Sequence, residues 1–212
     1  MYNKYLERNT NPSGDSYFSR QSLYTKLTRR KKMKKALIVI DMQNDYFCGG
    51  NMELQNIDES LNKTNELINF AREQKYKIYF IQHFSIREGA TFFVPNTKGV
   101  ELNSKLDISN DMVIDKKYPN SFRDTILKEE LEKEDIDNLI VCGAMTHMCI
   151  DTTVRAGFDL GYKITLASDA CATRDLQFKD KIIKADNIHY GFMSALGSIF
   201  CEVKDTKEIT SI

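Results

Sequence analysis

The stretch NLIVCGAMTHMCIDTTVRAGFDLGY, Asn138 to Tyr162, opens on an apolar run that closes at Gly143. Such a run is the pattern of a strand buried on both faces. The residues after it predict a helix near 146–160, so a strand end and a helix start meet here. Two sulfurs and a histidine, Cys142, His147 and Cys149, fall within eight positions of one another. Cys149 lies in the first turn of the predicted helix, where backbone N–H groups lack partners and the helix dipole favours negative charge. Both effects favour a thiolate, so the sequence predicts that Cys149 ionises below the ordinary thiol value of about 8.5. The same N–H groups can receive an oxyanion when a thiolate attacks a carbonyl. The plain alternative is a small core residue in an Ala/Thr/Met-rich helix start. His147 is a poor base for Cys149, because residues two apart on a helix face different ways.

Outward from this stretch, strands and helices alternate. The runs 36–40 (ALIVI), 77–83 (KIYFIQH), 112–115 (MVID), 138–143, 163–169 (KITLASD) and 199–203 read as strands. Helices are predicted near 58–74, 122–133, 146–160 and 178–196, and the long segment 84–111 is irregular. Alternation of this kind predicts an α/β fold of three layers: a mostly parallel six-stranded sheet with helices on both faces. In such sheets ligands bind beyond the carboxyl ends of the strands. Asp41 ends the first strand, a Lys116–Lys117 pair follows the third, and the Cys149 segment follows the fourth, so these groups should meet at one rim.

An acid directly after five apolar residues is costly to bury unless paired, which singles out Asp41. Asp45, in the same turn, is placed to cap nearby backbone. Of Lys116 and Lys117, an extended backbone turns one inward, and spacing alone does not choose.

The 212 residues, 42% hydrophobic and 28% charged, suit one ordinary globular domain. The net charge of zero hides an asymmetry: residues 1–35 carry ten Lys/Arg against two acids, leaving the rest at −8. Residues 1–33 therefore read as a basic, disordered N-terminal extension before a domain over 34–212, and Met33 is a possible start. A body so acidic is a poor nucleic-acid binder. The apolar runs are strand-sized, so no membrane span is expected. Five scattered cysteines without a CxxC pair read as reduced thiols in the cytoplasm. Three histidines without ligand spacing predict no metal site, and no cofactor motif such as GxGxxG or GxxxxGK[ST] occurs.

The segments LIVIDMQNDYF (37–47), VIDKKYPNSFRDT (113–125) and VCGAMTHMCIDTTVRAGFDLGY (141–162), supported by ASDACATRD (167–175), resemble the isochorismatase-like cysteine hydrolases. That superfamily includes nicotinamidases and carbamoyl amidohydrolases, and the resemblance runs from Lys34 to about Val203. It implies a catalytic triad of Asp41, Lys116 and Cys149. Lys116 is preferred over Lys117 because the family lysine precedes a Pro-x-Ser-Phe element by three positions, here PNSF at 119–122. It also implies a non-proline cis peptide at Ala144–Met145, with the N–H groups of Met145 and Cys149 as the oxyanion hole. Nicotinamidases add an Asp-x-His pair and a further His for a metal, whereas this chain has His83 alone in that region. Isochorismatases proper lack the cysteine. The implied function is a cofactor-free hydrolase of an amide-type C–N bond in a small molecule, through a thioester, in a homo-oligomer (dimer or tetramer). A hydrolase of a non-amide bond and a non-catalytic thiol-binding or redox protein are the alternatives. Phe47, Arg87, Phe92 and Phe93 are the expected substrate contacts.

Overall fold

The computed structural model describes residues 34–211 of the chain. The extension expected over residues 1–33, and with it the start at Met33, lies outside the described residues. Eight strands are described: β1 (Lys34–Ile40), β2 (Lys77–His83), β3 (Met112–Lys116), β4 (Ile136–Ala144), β5 (Lys163–Ala172), β6 (Leu176–Phe178), β7 (Lys181–Ile183) and β8 (Glu202–Lys204). The helices are α1 (Ile57–Glu73), α2 (Leu127–Lys133), α3 (Asp151–Asp159), α4 (Ala185–Gly197) and α5 (Thr206–Thr210). Six strands form one sheet in the order β3-β2-β1-β4-β5-β8, and every neighbouring pair is parallel.

Side-chain alternation along β1 divides the core. Leu37 and Val39 join Leu61, Leu67 and Ile68 of α1 and Ile209 of α5 on one face. Ala36, Ile38 and Ile40 join Leu127 and Leu131 of α2, Val154 of α3 and Leu196 of α4 on the other. Both faces are thus covered, which is why the central strands are apolar throughout and the fold has three layers.

Three elements differ from expectation. The segment predicted to start the last helix is instead an antiparallel hairpin, β6–β7, turning at Lys179, whose φ is +56°. Its aromatic and β-branched residues, Phe178, Ile182 and Ile183, suit a strand. Helix α2 starts at Leu127 because Asp124 takes a left-handed φ of +54° and breaks the predicted helix. The helix predicted to begin at 146 starts as one turn of π-helix, Thr146–Ile150, before α3.

Gly143 lets β4 pass the end of β1. Its φ is +121°, and a Cβ there would lie 2.0 Å from the Ile40 carbonyl oxygen. The irregular segment between β2 and β3 is braced by Asp45, whose carboxylate accepts the N–H of Phe93 at 2.6 Å and of Asn51 at 3.1 Å. Gly99 packs so closely that a Cβ would come within 2.2 Å of this carboxylate. The backbone-capping role expected of Asp45 is therefore met, across 48 residues as well as locally. Replacing Asp45 by Ala strands the buried Phe93 N–H and should cost about 1–3 kcal/mol of stability in urea unfolding. Asp45→Asn, which keeps one acceptor, should recover part of the loss.

Candidate active site

Four adjacent strands each bring one group to the carboxyl edge of the sheet. Asp41 follows β1, His83 ends β2, Lys116 ends β3, and Cys149 sits in the π-helical turn after β4. Register aligns them: His83 is the cross-strand partner of Lys116, and Ile40, just before Asp41, pairs with both Ile81 and Gly143. Asp41 takes a left-handed φ of +54°, and its N–H donates to the Ile81 carbonyl at 3.0 Å.

The Lys116 ammonium stands at the centre. Its Nζ lies 2.8 Å from Asp41 Oδ2, 2.8 Å from His83 Nδ1, 3.1 Å from Cys149 Sγ and 3.2 Å from the Tyr118 carbonyl oxygen. Asp41 is 0%, Lys116 1% and Cys149 4% exposed, so all three are sealed from bulk water. Strand alternation chooses between the lysines, turning Lys116 inward and leaving Lys117 exposed. The Asp41 contact is an ion pair rather than a well-directed hydrogen bond, and Asp41 Oδ1 has no hydrogen-bond partner.

Burial opposes a charged Lys116, yet the Asp41 carboxylate and the Cys149 sulfur outweigh it and hold the ammonium pKa above its usual value. The thiol behaves otherwise than the sequence predicts. Burial, reinforced by the Asp41 carboxylate and only partly offset by Lys116, pushes Cys149 far above the ordinary thiol range. At rest the site holds an Asp41–Lys116 ion pair beside a neutral thiol, because a sealed sulfur next to a carboxylate gains too little from a helix start. Burial and the Lys116 charge pull His83 down to about 4, against the Asp41 carboxylate, so its imidazole is neutral.

The peptide bond Ala144–Met145 is cis, as the family resemblance implies. The Met145 carbonyl accepts the N–H groups of Met148 and Ile150, passing over that of Cys149 between them. His147 engages Thr173 Oγ1 at 2.6 Å and the Phe192 ring, so its partners lie elsewhere than the Cys149 sulfur.

A cavity of about 470 Å³ borders His83 and is lined by Ile86, Arg87, Phe92, Tyr118 and Pro119 among others. Arg87 and Phe92 thus lie where a substrate could meet them. Phe47 and Phe93 do not line it. Phe93 is fully buried, with its ring against Tyr46 and 5.9 Å from the His83 ring, and Phe47 packs in the same core. A larger depression of about 580 Å³ opens beside Lys35, Asn138 and Lys163, at the amino ends of the strands, and holds none of these groups.

The family model for the Isochorismatase domain matches residues 35–194. The chain belongs to the isochorismatase family. It is an isochorismatase-family hydrolase. It is 42% identical over 176 residues to the isochorismatase family protein YddQ of Bacillus subtilis (strain 168), covering 82% of this chain and 98% of that one. It is 30% identical over 145 residues to streptothricin hydrolase of Streptomyces noursei, covering 67% of this chain and 51% of that one. The crystal structure of a protein described as an isochorismatase hydrolase from Oleispira antarctica superposes with a TM-score of 0.81 at 36% identity, over 85% of this chain and 98% of that one.

Sequence reasoning missed His83 as a member of this cluster, although the strand-end rule that singled out Asp41 applies equally to the last residue of KIYFIQH. It also missed Gln43, whose buried amide pairs with both backbone groups of His83. Asp41, His83 and Cys149 offer metal-ligand atoms within 4.8 Å of one another. They do not fit a divalent ion as they stand, because the Lys116 ammonium already contacts all three and would repel it.

The electrostatics give a signed prediction. In Asp41→Asn the sulfur becomes the remaining anionic partner of the ammonium, so thiol ionisation should move down in pH. Ultraviolet thiolate absorbance and iodoacetamide labelling of Cys149 should then appear at lower pH than in the unmodified protein, where they should require pH well above ~8.5. An unchanged profile in the variant would remove the carboxylate as the cause.

Proposed function

We propose that the protein is a thiol amidohydrolase that cleaves an amide-type C–N bond, other than a peptide bond, in a small molecule, with Asp41, Lys116 and Cys149 as its catalytic residues. One observation carries the reading: a buried ammonium within 3.1 Å of both a carboxylate and a cysteine sulfur. An acid, a base partner and a nucleophile held this way form the pattern of covalent catalysis.

Because the resting thiol is neutral, its proton moves to Asp41 as the sulfur attacks, and Lys116 steadies the negative charge shared between carboxylate and sulfur. The Asp41 and Cys149 ligand atoms lie within 4.8 Å of one another, so a small shift suffices for the transfer. A C–S bond forms and the carbonyl electrons move to oxygen, where the N–H groups of Met145 and Cys149 receive the oxyanion. Collapse breaks the C–N bond while Asp41 returns the proton to the leaving nitrogen. Water, deprotonated by Asp41, then attacks the thioester, releasing the acid and restoring the thiol. Two charged groups beside the sulfur explain why a histidine base is dispensable.

Exposed apolar side chains on the β6–β7 hairpin and α4, namely Phe178, Ile182 and Tyr190, support assembly as a homo-oligomer. Sedimentation velocity giving the mass of a single chain at working concentration would rule that out.

A panel of small amides, ureido compounds and lactams, followed by ammonia or amine release, tests the central reading. With the substrate found, Cys149→Ala should abolish turnover and Asp41→Asn should lower kcat by roughly a thousandfold or more. Mass spectrometry of the quenched enzyme should show an acyl adduct on Cys149. Turnover that survives Cys149→Ala would exclude a covalent step.

A further inference from the structure

His83 occupies an unusual position. It touches the charged centre through Nδ1 and is also among the residues lining the cavity. An ammonium carries only donors, so the ring nitrogen facing it at 2.8 Å accepts a hydrogen bond. A neutral imidazole that accepts through Nδ1 carries its proton on Nε2. Among the described residues, the ring's polar contacts with Lys116, Cys149 and Asp41 all run through Nδ1.

The main chain that carries the ring is also held against drift. Gln43, fully buried, donates from Nε2 to the His83 carbonyl at 2.9 Å and accepts the His83 N–H at 2.7 Å. The same Gln43 amide reaches the Val100 carbonyl at 2.6 Å, tying this clamp to the irregular segment. The Phe93 ring packs beside the imidazole. Such bracing is what a binding group needs to hold its direction. The cavity beside it, about 470 Å³, lies in the usual size range of small-molecule sites, and much of its wall is apolar: Ile86, Phe92 and Pro119.

From this geometry we infer that His83 reads the substrate. Lys116 holds Nδ1, so the ring presents Nε2–H to the cavity as a hydrogen-bond donor. Its acceptor is a second carbonyl or carboxylate oxygen of a small amide, distinct from the oxygen of the bond being cleaved. This assignment rests on the amidohydrolase reading for its kinetic consequence, but the proton position does not.

Two measurements separate them. Long-range ¹H–¹⁵N spectra of histidine-labelled protein, with His83 assigned by its loss in His83→Gln, should show the Nε2–H tautomer at neutral pH. The Nδ1–H tautomer, a mixture of the two, or an imidazolium would overturn the proposal. Adding small amides that carry a second acceptor, N-acetylglycine and ureidoacetate among them, should shift the Nε2–H signal, and no shift with any of them would likewise overturn it. On a turned-over amide bearing the second acceptor, His83→Leu should raise KM about tenfold to a hundredfold with a smaller change in kcat. His83→Gln, which can place an amide N–H near the Nε2 position, should restore part of KM. An unchanged KM in His83→Leu, or a loss confined to kcat, would defeat the claim. Failure of every amide to turn over would refute the amidohydrolase reading, while the spectra still decide the tautomer and the donor role.

Discussion

A lysine ammonium sealed from water is the most demanding feature of this molecule. Dehydrating such a charge costs several kcal/mol even after relaxation, and only a close anion with further acceptors offsets it. Lys116 has these: the Asp41 carboxylate, the His83 ring nitrogen, the Cys149 sulfur and the Tyr118 carbonyl. Each comes from a different part of the chain, so the ammonium is satisfied only when four strand ends are in register. The close pass of Gly143 over β1, the Asp45 brace and the Gln43 clamp all serve that alignment.

The same arrangement explains the state of the thiol. Lys116 draws the Cys149 pKa down while burial and Asp41 push it up, and the upward influences win. A resting thiolate would have to share a dry pocket with a carboxylate, and one ammonium cannot neutralise both. The ion pair between Asp41 and Lys116 beside a neutral thiol is thus the resting arrangement. The ammonium also fills the space among three groups that would otherwise suit a metal ion, giving the site a cation of its own.

Much of this was legible in the residue order. Alternating apolar runs and amphipathic stretches marked out the parallel sheet, and the strand-end rule pointed to Asp41, the Lys116–Lys117 pair and the Cys149 turn before any distance was known. What was not legible has several local causes. The β6–β7 hairpin was read as helix because the strand preference of Phe178, Ile182 and Ile183 is a weak signal over two three-residue strands next to a true helix. Phe47 and Phe93, expected as substrate contacts, pack in the core and do not line the cavity beside His83, a distinction that an aromatic residue in a loop does not carry in sequence. His83 was passed over because a single histidine carries no spacing signal.

The residue order by itself determined the layers of the fold, the edge where chemistry would gather and the kinds of side chain arriving there. Those follow from local periodicity and from the cost of placing a charge after an apolar run, both of which act within a few residues. Tertiary structure alone decided which nitrogen of His83 meets Lys116 and whether the thiol is charged. Each of those depends on dehydration and on distances of about 3 Å between groups tens of residues apart, and such quantities do not exist until the chain has packed.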